Sequence, residues 1–464
     1  MTKKYFQKQL IYNYIIAILA LSFYLFFAFY DGVIICADSS SYITNSITRE
    51  FLYPALLSFF RIILKDDYLF GIIVLQSLLA AYGTYKITIC VKKHFSLGYA
   101  LSTFIFCIPL FTSVLNRFFA NRGSMYSNCI LTEGMTISLF LLFFSHLLDY
   151  IIDHSTSSFW KIIILSSFMF AMRKQMIITL ALFAIAYIFV NSAFKNNNIK
   201  QTIKYFIKNT LFSGIICLAL LLSVSTIEHT YNYFTRGNFT GHSSDSRFIL
   251  TMIFYVSEPE YAQKLPSDIQ KLYSDIYDTC DANGYLIKDA PNGWIQEVNH
   301  FENNYDLIQI DTMWPAIREY VSSKHNPDPT THELYTDEIV NTMISCLLPT
   351  TLPRIMHVTI NNFISGMITS IAQRNTILTW YSLICYVGYL LLFLIWIKRM
   401  GLDNNTTKLC SFTLLSILIN VTLVSCVIFC QTRYTIYNMA LFYISGLILL
   451  HSFYKKIIYP RIHQ

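Results

Sequence analysis

The stretch LIYNYIIAILALSFYLFFAFY, residues 10–30, decides the class of fold. It contains no charged residue and is about 20 residues long, enough for an α-helix to cross a hydrocarbon core of roughly 30 Å. Lys3, Lys4 and Lys8 precede it, and no small-residue cleavage motif follows it. It therefore predicts an uncleaved first membrane span that starts on the cytoplasmic side.

The composition extends this interpretation to the whole chain. Of 464 residues, 54% are hydrophobic and only 13% are charged, which argues against a set of soluble domains. Residues 228–376 carry nine basic and 18 acidic residues, whereas the remainder carries 25 basic and nine acidic ones. One acidic polar block within an apolar, mostly positive chain is typical of a multispanning protein with one sizeable extramembrane domain.

Other apolar stretches predict further membrane helices, over residues 70–89, 99–115, 131–150, 211–227, 377–397, 409–429 and 437–453. One longer stretch, residues 159–190, is interrupted by Arg173, Lys174 and Gln175. It is either one long helix with buried charges or two short spans. Two crossings are favoured because they place the longest lysine cluster on the cytoplasmic side, at Lys195, Lys200, Lys204 and Lys208.

The sequence thus predicts a mainly α, polytopic membrane protein of about ten transmembrane helices with both termini cytoplasmic. Its three parts are a membrane module of about seven spans (residues 1–227), an extracytoplasmic domain (228–376) and a membrane module of about three spans (377–464). Basic residues near membrane spans usually lie on the cytoplasmic side. With this topology several lie on the outer side instead: Arg49, Arg61, Lys65, Arg117, Arg122, Arg173, Lys174 and Arg433. Binding an anion would be a reason for such placement.

Two outer segments are apolar but too short to span. Residues 54–64 begin with a proline suited to a first helical turn, and residues 357–374 place isoleucines, Phe363 and Met367 on one helical face. Both predict interfacial helices. Between 228 and 357, turns rich in Asp, Asn, Gly and Pro alternate with short helical patterns, which predicts a helical, loop-rich domain.

Two carboxylates are candidate catalytic residues. Asp38 follows the first span, where partial desolvation would suit a general base, although it could equally cap a short helix with Ser39. Glu133 lies near the outer end of the fourth span. It could simply complement the helix dipole, but an ionisable residue in a span is a functional candidate by default.

Three cations and a tyrosine are candidates for binding a donor phosphate: Arg173, Lys174, Arg433 and Tyr434. The plainer interpretation of Arg173 and Lys174 is that they snorkel to the headgroups, and that of Arg433 is an interfacial anchor. The sequence shows no CxxC zinc pattern, and His325 and His332 lack the spacing of a helical metal pair. No cofactor is indicated, and a divalent cation is left open. Nucleotide-binding and serine hydrolase motifs are absent.

Taken in order, several short motifs carry a family resemblance. They are Asp38 in the first outer loop, LQSLLAAYGTYKI at 75–87, LTEG at 131–134, RKQMIITLAL at 173–182 and the late RY at 433–434. In this order the chain resembles the GT-C superfamily of integral membrane glycosyltransferases, particularly the bacterial relatives of protein O-mannosyltransferases and aminoarabinose transferases. The similarity covers roughly residues 10–190 and 410–450.

The resemblance implies a hexosyltransferase that moves a sugar from a polyprenyl-phosphate donor to a glycan, lipid or protein acceptor outside the cytoplasmic membrane. It assigns the catalytic aspartate to Asp38. Many members have a second acidic residue directly afterwards, where this chain has Ser39, so the second carboxylate is assigned to Glu133, with Glu50 as the alternative. The expected partners are the donor, the acceptor and the bilayer, and no nucleic acid.

Two other function classes fit parts of the pattern. A polysaccharide polymerase of the O-antigen type has a similar number of spans, a large outer loop and functional outer arginines, but does not need an aspartate after the first span. A transporter or flippase for lipid-linked sugars is expected to carry mid-membrane charges on several spans and internal repeats. Neither feature is evident here.

Overall fold

The computed structural model of the protein describes residues 3–119, 124–192, 199–325 and 328–459. Within these ranges the chain is helical, and the single pairing of extended residues is an isolated bridge between Ile34 and Cys129. The predicted mainly α fold is confirmed. Arg122 and Lys195, each assigned above to a side of the membrane, lie outside the described residues.

The N-terminal part contains nine helices. They are α1 (Lys3–Asp31), α2 (Ser39–Ile43), α3 (Leu52–Leu64), α4 (Tyr68–Phe95), α5 (Tyr99–Phe119), α6 (Glu133–Asp153), α7 (Thr156–Met172), α8 (Ile177–Asn191) and α9 (Ile199–Arg236). The polar block forms α10 (Ser246–Tyr255), α11 (Gln270–Ala282), α12 (Trp294–Asp306), α13 (Trp314–Lys324) and α14 (Pro329–Thr369). The C-terminal part forms α15 (Thr376–Met400), α16 (Asn405–Ser425), α17 (Thr432–Thr435) and α18 (Met439–Phe453).

In the described part of the chain, eight helical segments are long and apolar enough to cross a membrane. They are Gln7–Asp31, Glu133–Asp153, Lys174–Asn191, Gln201–Arg236, Pro329–Thr369, Ile377–Met400, Asn405–Ser425 and Thr432–Ile458. Seven coincide with predicted spans, and the eighth, Pro329–Thr369, was not predicted as one. The remaining predicted spans correspond to α4, α5 and α7. The chain therefore has the character of a multi-pass membrane protein.

The centre of the bundle is α6. In its most apolar stretch 89% of the residues are buried inside the protein, against 17% in α1. It packs on α4 at Gly83, where a Cβ atom would lie only 2.8 Å from the carbonyl oxygen of Ser138. Next to it Gln76 of α4 lies against Gly134 and donates hydrogen bonds to the carbonyls of Ser127 and Cys129. These contacts fix the start of α6, where Glu133 is located.

The break predicted near Arg173 is confirmed. Helix α7 ends at Met172, Arg173 is extended (φ −160°, ψ 118°), and a short 3₁₀ turn, Lys174–Met176, leads into α8. The apolar stretch 159–190 is therefore two helices and not one helix with charges at its middle.

Two boundaries differ from the sequence analysis. The predicted interfacial helix over 357–374 is not separate: it is the end of α14, a 41-residue helix that continues through Pro349 and Pro353. Its amphipathic pattern arises because Asn362, Ser365 and Gly366 pack against the end of α16 and the loop after it. The domain boundary placed at residue 228 falls inside α9, which continues to Arg236.

The polar block has its own apolar core. Helices α10 to α13 and the first half of α14 bury residues such as Phe254, Tyr273, Tyr305 and Met343. Phe429, from the loop between α16 and α17, belongs to the same cluster, and its ring lies 5.0 Å from that of Tyr305. This contact joins the polar domain to one end of the helical bundle.

Candidate functional site

A cluster of charged side chains lies where the polar domain meets the bundle. Here α1 and α7 end, α6 begins and α17 follows α16. The loop after α1 is held against the segment before α6 by backbone hydrogen bonds from Ile34 to Asn128 and from Ile130 to Ile34. Ser39 Oγ adds a hydrogen bond to the Ile130 carbonyl. These contacts place Asp38 beside Glu133, which is the first residue of α6.

Five charged residues form one continuous chain of ion pairs. Arg173 Nη1 lies 2.7 Å from Glu133 Oε1. Arg433 bridges both carboxylates: its Nε contacts Glu133, and its Nη2 lies 2.8 Å from Asp38 Oδ2. Arg49 Nη2 is 2.8 Å from the other oxygen, Asp38 Oδ1. The order is therefore Arg173, Glu133, Arg433, Asp38 and Arg49.

Glu133 is the most buried residue of this chain, and Asp38 is the most exposed. The Glu133 side chain is completely buried, whereas Asp38 keeps 30% of its side chain accessible. Thr132 Oγ1 lies 3.3 Å from the second oxygen of Glu133 and accepts a hydrogen bond from Arg173. Glu133 is thus enclosed by two arginines and a threonine, and Asp38 is the carboxylate that another molecule can reach.

Asp38 does not act as a helix cap. It directly precedes α2, but its side chain makes no capping hydrogen bond. Burial raises the pKa of Asp38, but the positive charges of Arg433 and Arg49 outweigh this effect and leave the pKa below its ordinary value. Asp38 is therefore an ionised carboxylate at neutral pH, and its two guanidinium partners weaken it as a base.

The break between α7 and α8 determines where Arg173 points. Arg173 Nε donates to Gln175 Oε1 over 2.9 Å. The Gln175 amide in turn donates to Asn420 Oδ1 and to the Tyr434 carbonyl. Asn420 donates to the same carbonyl, so the break is fastened to α17. The backbone that carries Arg173 is thereby coupled to the backbone that carries Arg433.

Tyr434 completes the cluster through its ring. The guanidinium carbons of Arg173 and Arg433 lie 5.4 Å and 5.7 Å from the ring centroid. At these distances an aromatic ring attracts cations. Tyr434 therefore supports the arginines, and its side chain is not itself one of their hydrogen-bond partners.

Lys174 lies in a neighbouring network. Its Nζ is 2.9 Å from Glu228 Oε2, and Glu228 Oε1 is 2.9 Å from His242 Nδ1. His242 Nε2 is 2.8 Å from Asp245. Glu50, the alternative second carboxylate, accepts a hydrogen bond from the Lys174 backbone N–H. The structure thus brings Asp38, Glu133, Arg173, Arg433 and Tyr434 together, but it turns the Lys174 side chain away from them.

The sequence analysis did not assign Arg49 or Arg247 to the site. Arg49 was noted only as an outward-facing cation. Arg247, in α10, has no ion-pair partner among the described residues, and its Nε is buried without a hydrogen bond. Its guanidinium lies 4.9 Å from the ring of Trp314, and its charge repels that of Arg49. Glu333 and Asp337 partly offset this repulsion. The position of Arg247 was not visible in the sequence, because it depends on tertiary packing.

The polar domain approaches the cluster from the opposite side to the bundle. Asp306, the last residue of α12, has its pKa raised by burial and by the nearby negative charges of Asp38 and Asp311. A small cavity of about 40 Å³ behind Glu133 has room for water but not for a sugar.

No protein-family model, curated protein or solved structure matches the chain. Its function therefore has to be inferred from the geometry of the site.

Proposed function

We propose that this protein is a GT-C-type glycosyltransferase that transfers a sugar from a polyprenyl-phosphate donor to an acceptor on the outer face of the cytoplasmic membrane. The observation that carries the proposal is the ion-pair chain of Arg173, Glu133, Arg433, Asp38 and Arg49 at one end of a bundle of apolar helices. A lipid-linked sugar presents its reactive carbon at the headgroup plane, which is where such a bundle ends.

Charge balance supports a phosphate ligand. Three guanidinium groups share two carboxylates in this chain, which leaves an excess of one positive charge. A sugar linked to a polyprenyl chain through one phosphate is a phosphodiester with one negative charge. Arginine matches such an anion because its planar group donates two parallel hydrogen bonds.

The proposed roles follow from accessibility. Asp38 accepts the proton of an acceptor hydroxyl while that oxygen bonds to the anomeric carbon of the sugar. The bond from this carbon to the phosphate oxygen breaks, and its electron pair leaves with the phosphate, whose added charge Arg433 and Arg49 stabilise. Glu133 was first assigned a catalytic role. Because it is completely buried between Arg173 and Arg433, we propose that it positions them instead.

Binding of the donor would also make Asp38 a stronger base. In the structure both oxygens of Asp38 are paired with arginines, which lowers its pKa. A bound phosphate competes for the same guanidinium groups and so weakens their hold on Asp38. The proposal therefore includes an order of events in which donor binding precedes proton transfer.

The proposal also requires a topology. We place α1, α4 to α9, α15, α16 and α18 across the membrane as ten spans, with both termini in the cytoplasm. The polar domain and the charged cluster then lie outside, where lipid-linked sugars are used. We leave α14 out of the spans because its first half packs on α10 within the polar domain.

The deciding experiment is a transfer assay with Asp38→Asn in detergent or nanodiscs, using polyprenyl-phosphate sugars as donors. Asparagine keeps the size of the side chain but cannot accept the proton, so we expect transfer to fall by about 10²- to 10⁴-fold. Asp66→Asn, in an exposed turn between α3 and α4, is the matched control. Full activity of Asp38→Asn would refute the role of Asp38.

A second arm of the same assay separates the alternatives. Oligosaccharides linked through a diphosphate are offered in place of the monophosphate donor. Elongation of these substrates without use of the monophosphate donor would favour a polysaccharide polymerase. Movement of a lipid-linked sugar across vesicles without any transfer would favour a flippase.

A further inference from the structure

A second polar cluster lies at the opposite end of α4 and α6, buried between the two helices. Cys90 and His94 are one turn apart on α4, and Asp149 faces them from α6. The thiol, the imidazole and the carboxylate each offer one ligand atom, and these atoms all lie within 4.8 Å of one another. The side chains of His94 and Asp149 are only 3% and 14% exposed. The ion pairs of the proposed glycosyl-transfer site do not involve these residues.

The distances suit a four-coordinate transition metal. His94 Nε2 lies 2.8 Å from Asp149 Oδ1, and Cys90 Sγ lies 3.9 Å from the same oxygen. In a tetrahedral site with bonds of about 2.0–2.3 Å, ligand atoms are roughly 3.5 Å apart. Shifts of up to about one ångström would therefore admit an ion between these three ligand atoms.

A candidate fourth ligand lies on α6, next to the group of three but outside the 4.8 Å limit that its ligand atoms share. His146 is one turn before Asp149 and is 7% exposed. Its Nδ1 is buried without a hydrogen-bond partner, although Asp149 Oδ2 lies 3.8 Å away. An imidazole nitrogen that is buried and unsatisfied is costly unless something binds it. A metal ion beside Asp149 would satisfy it.

A further carboxylate, that of Asp153, lies next to the His94 ring. Asp153 Oδ1 lies 3.7 Å from His94 Nδ1, the ring nitrogen that does not face the cluster. Metal-bound histidines commonly donate this second N–H to a carboxylate, which fixes the ring and its tautomer. Asp153 is placed to accept such a hydrogen bond from His94 after a small shift from the present 3.7 Å.

Two lysines form ion pairs with the carboxylates of Asp149 and Asp153. Lys93 Nζ lies 3.6 Å from Asp149 and 2.5 Å from Asp153, and Lys86 lies 3.9 Å from Asp149. The Lys93 side chain is 59% exposed and can turn into solvent when a cation takes its place. The lysines therefore compete with a metal but do not block it.

We propose that Cys90, His94, His146 and Asp149 bind a zinc ion between α4 and α6. A thiolate with imidazoles and a carboxylate selects zinc over magnesium or calcium, which prefer oxygen ligands alone. Four protein ligands leave no open coordination position, which is typical of a structural site. The ion would clamp the two helices whose other ends carry Gln76 and Glu133. This proposal does not depend on the proposed glycosyl transfer.

The test measures metal directly in the purified full-length protein. We expect about one zinc per chain by mass spectrometry after dialysis against zinc and removal of excess. Cobalt substituted for zinc should give the absorption bands of thiolate and tetrahedral coordination. Cys90→Ser should remove the thiolate band, whereas Cys410→Ser, at a buried cysteine in α16, should leave it unchanged.

A second variant keeps the proposal testable if Cys90→Ser does not fold. Asp153→Asn keeps all four ligands and should weaken zinc binding by about 10- to 100-fold. Wild-type protein without stoichiometric zinc, or without a thiolate band with cobalt, would overturn the proposal. So would Cys90→Ser binding zinc as tightly as Cys410→Ser. A failed transfer assay would leave each of these outcomes unaffected.

Discussion

Arg433 is the residue on which the proposed site depends. It contacts Glu133 through Nε and Asp38 through Nη2, so one planar group holds together residues from three parts of the chain. Sequence reasoning could select Arg433, Arg173, Asp38 and Glu133, because charge at the outer edge of predicted spans is unusual. It could not show that Lys174 belongs to a different network. The position of a residue along the chain predicts its side of the membrane but not its ion-pair partner.

Exchange of Arg433 for lysine tests whether the guanidinium group has a specific role. Lysine snorkels as well as arginine, but a single ammonium cannot make two parallel hydrogen bonds to a phosphate while it bridges two carboxylates. We expect donor affinity or turnover of Arg433→Lys to fall roughly ten- to a hundredfold. This is the change that loss of one bidentate charge-assisted hydrogen-bond contact produces. The measurement is donor titration together with transfer rate in nanodiscs.

The control for this variant is Arg399→Lys, at an exposed position near the end of α15. Thermal unfolding is measured in parallel, because loss of a partner in a buried ion pair is destabilising in itself. Arg433→Lys protein that is folded and keeps wild-type donor affinity and turnover would remove the support for phosphate binding.

At the scale of elements, the break between α7 and α8 shows what sequence can predict and what it cannot. Charge placement alone indicated two helices in residues 159–190, and the structure has them. The reason that the break is stable lies elsewhere in the chain: Gln175 binds the Tyr434 carbonyl and Asn420. The length of α14, which continues through Pro349 and Pro353, was not predicted for a similar reason, because the helix packs against α10 and α16, which are distant in the sequence.

The segment between α9 and α10 predicts a pH dependence of stability. Burial lowers the pKa of His242, but hydrogen bonds to Asp245 and Glu228 outweigh it and raise the pKa to about 10. Because this exceeds the ordinary value of 6.5, the stabilisation by His242 is complete below about pH 6.5 and is lost as the pH rises towards 10. We expect His242→Gln to lower the melting temperature at pH 6.5 by at least a few degrees, and less at pH 10.

The comparison that decides this is the difference between wild type and variant at each pH, since tyrosines and lysines also titrate near pH 10. His357→Gln, at an exposed histidine of α14, serves as the control. A difference between wild type and His242→Gln that stays constant from pH 6.5 to 10 would contradict the prediction.

At the scale of the whole molecule, charge distribution predicted the polar block as one unit, and the structure gives it a core of its own. The way in which this unit meets the bundle could not be predicted. Phe429 and Tyr305 are more than 120 residues apart in the sequence, and so are Arg49 and Arg247, whose charges repel each other across the interface. Such contacts depend on the packing of helices that no local pattern specifies.

The predicted orientation is testable with two engineered cysteines. Cys280 of the polar domain is completely buried and cannot report it. Lys271→Cys, on the exposed side of α11, and Ser157→Cys, exposed at the other end of the bundle, are introduced with Cys107 and Cys426 changed to serine. An impermeant maleimide applied to intact cells should label position 271, and position 157 only after permeabilisation. The reverse pattern would place the charged cluster in the cytoplasm.

The loop after α1 is held by hydrogen bonds from the end of α9 and from the segment that follows it. Arg236 donates to the Asn45 carbonyl, and the Ser243 N–H donates to the Ile47 carbonyl. These hydrogen bonds cover part of the loop that carries Asp38, so the proposed lipid-linked donor would approach the charged cluster from another side. Helix α3, which follows this loop, presents Phe59, Ile62 and Ile63, which are 55%, 81% and 58% exposed. If the donor is a polyprenyl-phosphate sugar, as proposed, these exposed apolar side chains offer a surface for its hydrocarbon tail close to the phosphate site.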